Sequence, residues 1–418
     1  MDKKGDKKDS KAGEILHSIT RVMARKYQES HPWITFQLNL REVGWLLWVQ
    51  LGEAASKCVH LTNVPLRPET SRKLLNLYLA KGAAATTAIE GNTLTEEEVL
   101  QHIEKGLKMP PSKEYLTQEV DNIIEACNGI ATLLSKDNQL PPLTREVICD
   151  YNRVVRKNLP EADGLAPPGE LRTGSFLVGN AYRGAPAEDC PELLDKMCEW
   201  LERDFHPQKG YTLPFAILKA VVAHLYLAWI HPFDDGNGRT ARLLELHILL
   251  GAGIPAPAAH LLSNHYNATR AEYYRQLDHA SKSRGDILPF IHYAVQGFVD
   301  GLREQLTYVW SQQWDAAWQN YVHETFRGKD GASGTRQRYL ALDLGTAGDW
   351  VEVSAIDELT PRLAKAYAGK SPKTLQRDLN DLQEILLLQR QPGKVRANRE
   401  IIHAFRPIRR KEEPPVKL

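Results

Sequence analysis

Residues 217–253 read ILKAVVAHLYLAWIHPFDDGNGRTARLLELHILLGAG. From 214 to 230 the run is apolar on nearly every side of a 3.6-residue period, which predicts a helix buried all round rather than one with a wet face. His231-Pro232 ends it, a short polar glycine-rich turn follows, and apolar spacing then resumes in a second helix. Two core helices joined by such a turn predict a mainly α fold.

Outward from this stretch the pattern stays helical. Residues 41–135 hold several segments with apolar residues three or four apart, and Gly91-Asn92 followed by Thr95 and Glu98 reads as a helix end and then a capping box. Helices are also predicted over 15–27, 141–160, 191–205, 269–280 and 287–311. The Gly- and Pro-rich segment 164–187 surrounds the β-prone run 175–178 and predicts a hairpin. Near the end, Ser371-Pro372 starts a helix whose buried stripe is Leu375, Leu379 and Leu382, and two short strands flank Pro392-Gly393.

A chain of 418 residues exceeds a single ordinary core, since cores stop growing near roughly 250–300 residues. The composition divides it into a disordered tail at 1–14, a helical amino-terminal region at 15–135, a core at 136–326, a polar glycine-rich linker at 327–335, a winged-helix-like domain at 336–410 and a basic tail at 411–418. Formal net charge is +1, which excludes a nucleic-acid binder acting through its whole surface. Residues 389–418 alone hold nine Lys or Arg and three acids. Five scattered cysteines suit reduced thiols, the start of the chain lacks an apolar leader, and no stretch offers roughly 18 uninterrupted apolar residues; a cytoplasmic protein without a membrane partner is expected.

The turn His231-Pro232-Phe233-Asp234-Asp235-Gly236-Asn237-Gly238-Arg239-Thr240-Ala241-Arg242 meets the separate needs of phosphoryl-type transfer. His231, with an ordinary pKa near operating pH, is the candidate general base. Gly236, Asn237 and Gly238 open a helix, where backbone N–H groups and the dipole favour an anion. Asp235 supplies one hard oxygen ligand, sufficient for Mg²⁺ shared with substrate phosphates. Arg239 and Arg242 fall on one helix face and could clamp the remaining phosphates.

In this order the twelve residues resemble the HxFx(D/E)GNGRxxR motif of Fic proteins at every specified position. The likeness extends to YYRQL at 273–277, similar to the family's later helix with paired tyrosines, and to GELRTGSFLVGN at 169–180, which resembles the hairpin flap that docks a target by strand addition. YRGAPAED at 182–189 lacks the consecutive prolines of many relatives. A second likeness is TTAIEG at 86–91, which resembles the inhibitory (S/T)xxxE(G/N) motif, here upstream of the core in the same chain.

The resemblance implies a protein adenylyltransferase that moves AMP from ATP onto a Ser, Thr or Tyr hydroxyl of another protein with Mg²⁺ as cofactor. It makes His231 the base, Asp235 the metal ligand, Gly236 to Gly238 the phosphate cradle and Arg239 with Arg242 the clamps. Thr240 and Ala241 lie within the ATP-binding turn, Phe233 is a buried anchor, and Tyr274 with Tyr273 beside it lies near the adenine. Arg172, Thr173, Gly174, Ser175, Phe176, Leu177 and Val178 form the target-docking flap. Glu90, with Thr86, would occupy Arg242 and misplace the γ-phosphate, and the same glutamate could serve removal of AMP.

The carboxy-terminal domain resembles a winged helix, with 371–384 as recognition helix and 386–402 as wing strands. Lys373 and Arg377 share a face, and Arg390, Lys394, Arg396 and Arg399 could contact DNA phosphates; a protein-docking or dimerising wing with a solvated basic face is the equal alternative. A nucleotide-sensing DNA-binding regulator, or transfer of UMP, phosphate or phosphocholine, would use the same core. An intact His231 favours the enzyme, because a sensor needs no base. A homodimer is compatible with the sequence.

Overall fold

The computed structural model describes residues 25–106, 110, 113–160, 164–175, 177–178, 182–206 and 209–403. The tails expected at 1–14 and 411–418 lie outside them. Two compact units divide at Glu304 and Gln305.

In the first unit the order is α1 (Lys26–Ser30), α2 (Trp45–Asn63), α3 (Pro68–Ala88), α4 (Glu96–Lys105), α5 (Glu114–Asp137), α6 (Arg145–Val155), β1 (Leu177–Val178), β2 (Tyr182–Arg183), α7 (Cys190–Asp204), α8 (Thr212–Ile230), α9 (Asn237–Gly251), α10 (Ala256–Ala259), α11 (Leu261–Ala268) and α12 (Arg270–Lys282). Helix α13 (Leu288–Thr325) begins in this unit, and the division falls within it. The capping box is made: the Thr95 hydroxyl accepts from the Glu98 N–H while the Glu98 carboxylate accepts from the Thr95 N–H.

Helix α8 is the axis of this unit. Leu218, Val221, Val222, Leu225 and Leu227 are fully buried, each contributing about 1.5–3 kcal/mol. Its 19 residues are long and apolar enough to cross a membrane, yet Lys219 and His224 interrupt the apolar run and most of the helix lies inside the core. Helices α2, α7 and α9 pack on it, and α3, α5 and α6 pack on α9. Pro232 disfavours right-handed helix at His231, which caps α8 with φ +49°; Gly236 then caps the start of α9 with φ +80°. The catalytic-type turn is thus fixed at both ends by left-handed backbone. The hairpin pairs β1 and β2 antiparallel, Leu177 opposite Arg183.

The second unit holds α14 (Ala332–Ala347), β3 (Val351–Glu352), α15 (Pro361–Tyr367), α16 (Pro372–Glu384), β4 (Leu388–Gln391) and β5 (Lys394–Ala397). Its antiparallel sheet has the order β3-β5-β4. Leu344, Ile356, Leu363, Leu379, Leu382 and Val395 form the core, and buried Asp378 is held by Arg336 and the Tyr367 hydroxyl. The linker expected at 327–335 is corrected: α14 already begins at Ala332 with Gly331 as its cap, and the units divide some twenty residues earlier inside a continuous helix, where composition carries no break.

Candidate active site

His231 stands at the end of α8 beside the glycine turn. Burial, then the Arg172 charge, push its imidazole down to about 4, against smaller raising effects from the Ala228 carbonyl, Glu90 and Asp235. The ring is therefore neutral at physiological pH; its value lies below the operating range expected from the sequence, because burial and the Arg172 charge both disfavour the imidazolium. A cavity of about 420 Å³ opens in front of it, lined among others by Glu90, Tyr182, His231, Gly238, Tyr274 and Asp278.

On the turn, Asn237 uses its side chain locally: Oδ1 accepts from the Phe233 N–H at 3.0 Å and Nδ2 donates to the Phe233 carbonyl at 2.7 Å. That clasp holds Phe233, fully buried, and leaves the backbone at the start of α9 to face a ligand. Asp235 keeps a half-exposed side chain; Arg239 Nη2 at 2.9 Å and Arg156 Nε at 3.7 Å both approach its Oδ2. Arg239 is buried between two acids, since its Nη1 donates to Glu119 at 3.1 Å.

Arg242 is buried on the same face of α9. Its Nη2 donates to Glu90 Oε1 at 2.7 Å and to the Thr86 carbonyl at 2.9 Å, while Nε and Nη1 have no hydrogen-bond partner among the described residues. Burial alone would raise the Glu90 pKa, yet the Arg242 charge and hydrogen bond, with Arg239 behind, hold it below the ordinary carboxylate value. A Cβ on Gly238 would lie 2.1 Å from Glu90 Oε1, so the carboxylate sits directly over the glycine turn.

Residues 142–249, which hold this turn, match the family model Fic/DOC family. This chain carries a Fic/DOC domain. Protein adenylyltransferase Fic of Nematostella vectensis is 32% identical over 282 residues, 67% of this chain and 61% of that protein. Protein adenylyltransferase fic-1 of Caenorhabditis briggsae is 33% identical over 213 residues, 50% of this chain and 38% of that one. The chain thus spans less than two thirds of the length of these relatives. A crystal structure of a Fic family protein from Desulfovibrio desulfuricans G20 superposes with TM-score 0.52 at 20% identity, covering 86% of this chain and 97% of that one, a likeness of fold.

Several residues expected in the Fic site do other work. Thr240 and Ala241 are fully buried, Thr240 against Asn152 and Ala241 in the apolar core, because their positions on α9 turn away from the face of Arg239 and Arg242. Tyr273 is buried, its ring stacked on Tyr266 and its hydroxyl 2.8 Å from His224 Nε2, while Tyr274 is 46% exposed and donates to the Ile89 carbonyl. Adjacent helical residues face different ways, so Tyr274 is the one open to a base. In the flap, Thr173, Gly174, Ser175 and Leu177 are exposed, Val178 pairs with Tyr182, and Phe176 lies outside the described residues. Arg172 is no docking residue: only 2% of it is exposed, and its donors meet backbone carbonyls.

Sequence reasoning missed Asn92, Glu119, Asn152 and Arg156. Glu119 Oε2 accepts from Asn92 Nδ2 at 2.8 Å while its Oε1 holds Arg239, joining the segment after Glu90 to the motif. Asn152 donates to the Asp235 carbonyl and accepts from the Gly169 N–H. The signal available was a polar residue, Asn152, on the buried face of α6.

Two predictions follow from this geometry. Gly236→Ala meets both a φ of +80° and an Asn152 Nδ2 atom 3.0 Å from the new Cβ, and is expected to lower stability by about 1–2 kcal/mol in urea unfolding. Burial pushes His231, His247 and His260 each down to about 4. Folded-state values below the unfolded one mean the unfolded chain takes up protons first, so stability is complete above pH ~6.5 and falls as pH drops toward ~4. The unfolding free energy from urea titration should be larger at pH 7.5 than at pH 5 by roughly a few kcal/mol.

Proposed function

We propose that this chain is a protein adenylyltransferase that moves AMP from ATP onto a Ser, Thr or Tyr hydroxyl of another protein and is held off by Glu90. The observation that carries the reading is Arg242: a buried guanidinium beside the glycine turn and the neutral imidazole, with Nε and Nη1 unpartnered among the described residues and Nη2 on the Glu90 carboxylate and the Thr86 carbonyl. A buried cation with unused donors fits a polyanion such as a triphosphate. The names of the relatives support the same chemistry.

His231 takes the proton of the target hydroxyl as its oxygen bonds to the α-phosphorus; the bond from that phosphorus to the bridging oxygen breaks, and its electron pair leaves with pyrophosphate. Arg242 and Arg239 hold the phosphates, and the N–H groups opening α9 face the same charge. Asp235 fits Mg²⁺, because Arg239 and Arg156 both lie at Oδ2 and leave Oδ1; the ion would neutralise phosphate charge. Tyr274 borders the base pocket, and β1 offers an edge for the target. A cytoplasmic site of action belongs to the same proposal, supported by five unpaired cysteines. Labelled ATP with Mg²⁺ and cell extract tests it: label should enter protein with the Glu90→Gly chain and not with a His231→Ala version of it.

For the second unit we propose a wing-type fold, supported by α16 followed by the strand pair β4 and β5. DNA binding has weak support, because Lys394 pairs with Glu352, Arg399 with Asp315, Arg390 bonds Asn380 and Arg396 lies over Trp350. Only Lys373 and Arg377 remain of the expected contacts, both exposed on α16. The full chain should therefore bind duplex DNA with a log–log salt slope no steeper than about −2 in fluorescence anisotropy. A slope near −5 would mean that the wing arginines leave their partners for phosphates.

A further inference from the structure

We infer that Arg172 is a positioning residue that seats His231 and ties the base to the hairpin in front of the site; the inference rests on the adenylyl-transfer reading above. Arg172 lies just ahead of β1 and is one of the largest fully enclosed side chains of the protein. Its guanidinium meets backbone oxygens: Nε donates to the His231 carbonyl at 2.7 Å, Nη1 to the Gly174 carbonyl at 2.6 Å, and Nη2 to the carbonyls of Ala185 and, at 3.4 Å, Ile230. The Arg172 N–H adds a bond to the Pro232 carbonyl at 3.0 Å. Among the described residues no ion pair engages it.

This arrangement does two things. His231 sits at φ +49°, in the left-handed region that few non-glycine residues adopt, and bonds to the carbonyls on either side of its Cα hold it there. Gly174 precedes β1 and Ala185 follows β2, so the same planar fork joins both ends of the hairpin to the last turn of α8. A target strand docked on the hairpin is thereby registered against the base that must take its proton.

The fork also brings a permanent positive charge beneath the imidazole. The charged and titratable groups around His231 are Arg172 from this segment, Glu90 from the turn after α3 and Asp235 from the loop, with Tyr182, Tyr273, Tyr274 and Asp278 lining the same cavity. Glu90 and Asp235 favour the protonated ring; Arg172 is the cation that opposes them. Arginine suits this place because it stays charged and satisfies several carbonyls at once, where lysine could keep the charge and lose the fork.

The test uses the full chain carrying Glu90→Gly, with Arg172→Gln and Arg172→Lys added separately. Three quantities are read: the His231 ring titration by NMR, assigned against His231→Ala; ATP affinity by calorimetry; and kcat for transfer. Arg172→Gln should raise the titration midpoint by about one pH unit. It should lower kcat about 10- to 100-fold with ATP affinity changed less than about twofold. Arg172→Lys should keep the midpoint and still lose kcat. A midpoint and kcat unchanged in Arg172→Gln overturn the inference.

If Arg172→Gln does not fold, Gly184→Ala decides. Its new Cβ would stand 3.0 Å from both Arg172 Nη2 and His231 Cβ, displacing the fork while its backbone remains ordinary. It should lower kcat about tenfold in a folded protein. Full kcat there overturns the inference as well. Should the Glu90→Gly chain transfer no AMP at all, the adenylyl-transfer reading fails, while the NMR titration still decides whether Arg172 sets the imidazole.

Discussion

His231→Ala, made in the chain that already carries Glu90→Gly, is expected to lower AMP transfer about 10²- to 10⁴-fold, the range for loss of a general base. ATP should still bind within about twofold, because the guanidiniums and the glycine turn are untouched. The expectation is this large because His231 is the one imidazole among the described residues that line the cavity. Burial and Arg172 hold it near 4, so it is already neutral and no pH within the folded range supplies a substitute. Tyr182 and Tyr273 line the same space, yet burial lifts both hydroxyls far above neutrality, so neither takes a proton there.

A backbone effect must be separated from the chemical one, since an alanine at φ +49° is itself unfavourable by about 1–2 kcal/mol. Asparagine tolerates the left-handed region and cannot act as a base. His231→Asn should thus be nearly as stable as the parent in thermal melting and as inactive as His231→Ala in label incorporation. Activity within tenfold of the Glu90→Gly parent in the asparagine variant would remove His231 from the mechanism.

What could be read from the sequence was what neighbouring residues encode. Thr95 and Glu98 are three apart and make their box whatever the rest of the chain does; His231-Pro232 and Gly236 bracket a turn by local sterics alone; Pro392-Gly393 stands at the turn between β4 and β5. The twelve-residue turn was legible for the same reason, as its ligating groups share one short segment. Glu119 was not, because its meaning lies in Arg239, 120 residues later, and in Asn92 on another element. Arg172 was misread because its place in a flap-like stretch suggested exposure, whereas the carbonyls that enclose it come from α8 and the far side of the hairpin. The division of the two units escaped the sequence because helical spacing continues through it: Gly297 and Gly301 lie within the helix just ahead of Glu304 without ending it.

Glu90→Gly is expected to raise basal transfer about 10- to 100-fold, and the estimate comes from a single bond. A hydrogen bond between charged groups stabilises by about 1.5–3 kcal/mol, or roughly one to two powers of ten in an equilibrium. The Glu90 side chain is 35% exposed, which favours the lower half of that range. Two further effects act in the same direction. The carboxylate occupies the space over Gly238 that a phosphate must enter, and its negative charge, held below the ordinary carboxylate pKa, repels that phosphate at any neutral pH.

Sign follows from the same facts: as pH falls the lock weakens only once Glu90 takes up a proton, below the usual carboxylate range, so pH changes between about 6 and 8 should leave basal activity low. Glu90→Gln separates charge from bulk. It keeps the volume over Gly238 and a weaker bond to Arg242, and should activate less than glycine does. Auto-modification with labelled ATP measures all three proteins, and a Glu90→Gly chain no more active than its parent would mean that the Arg242 contact merely packs the end of α3 against α9.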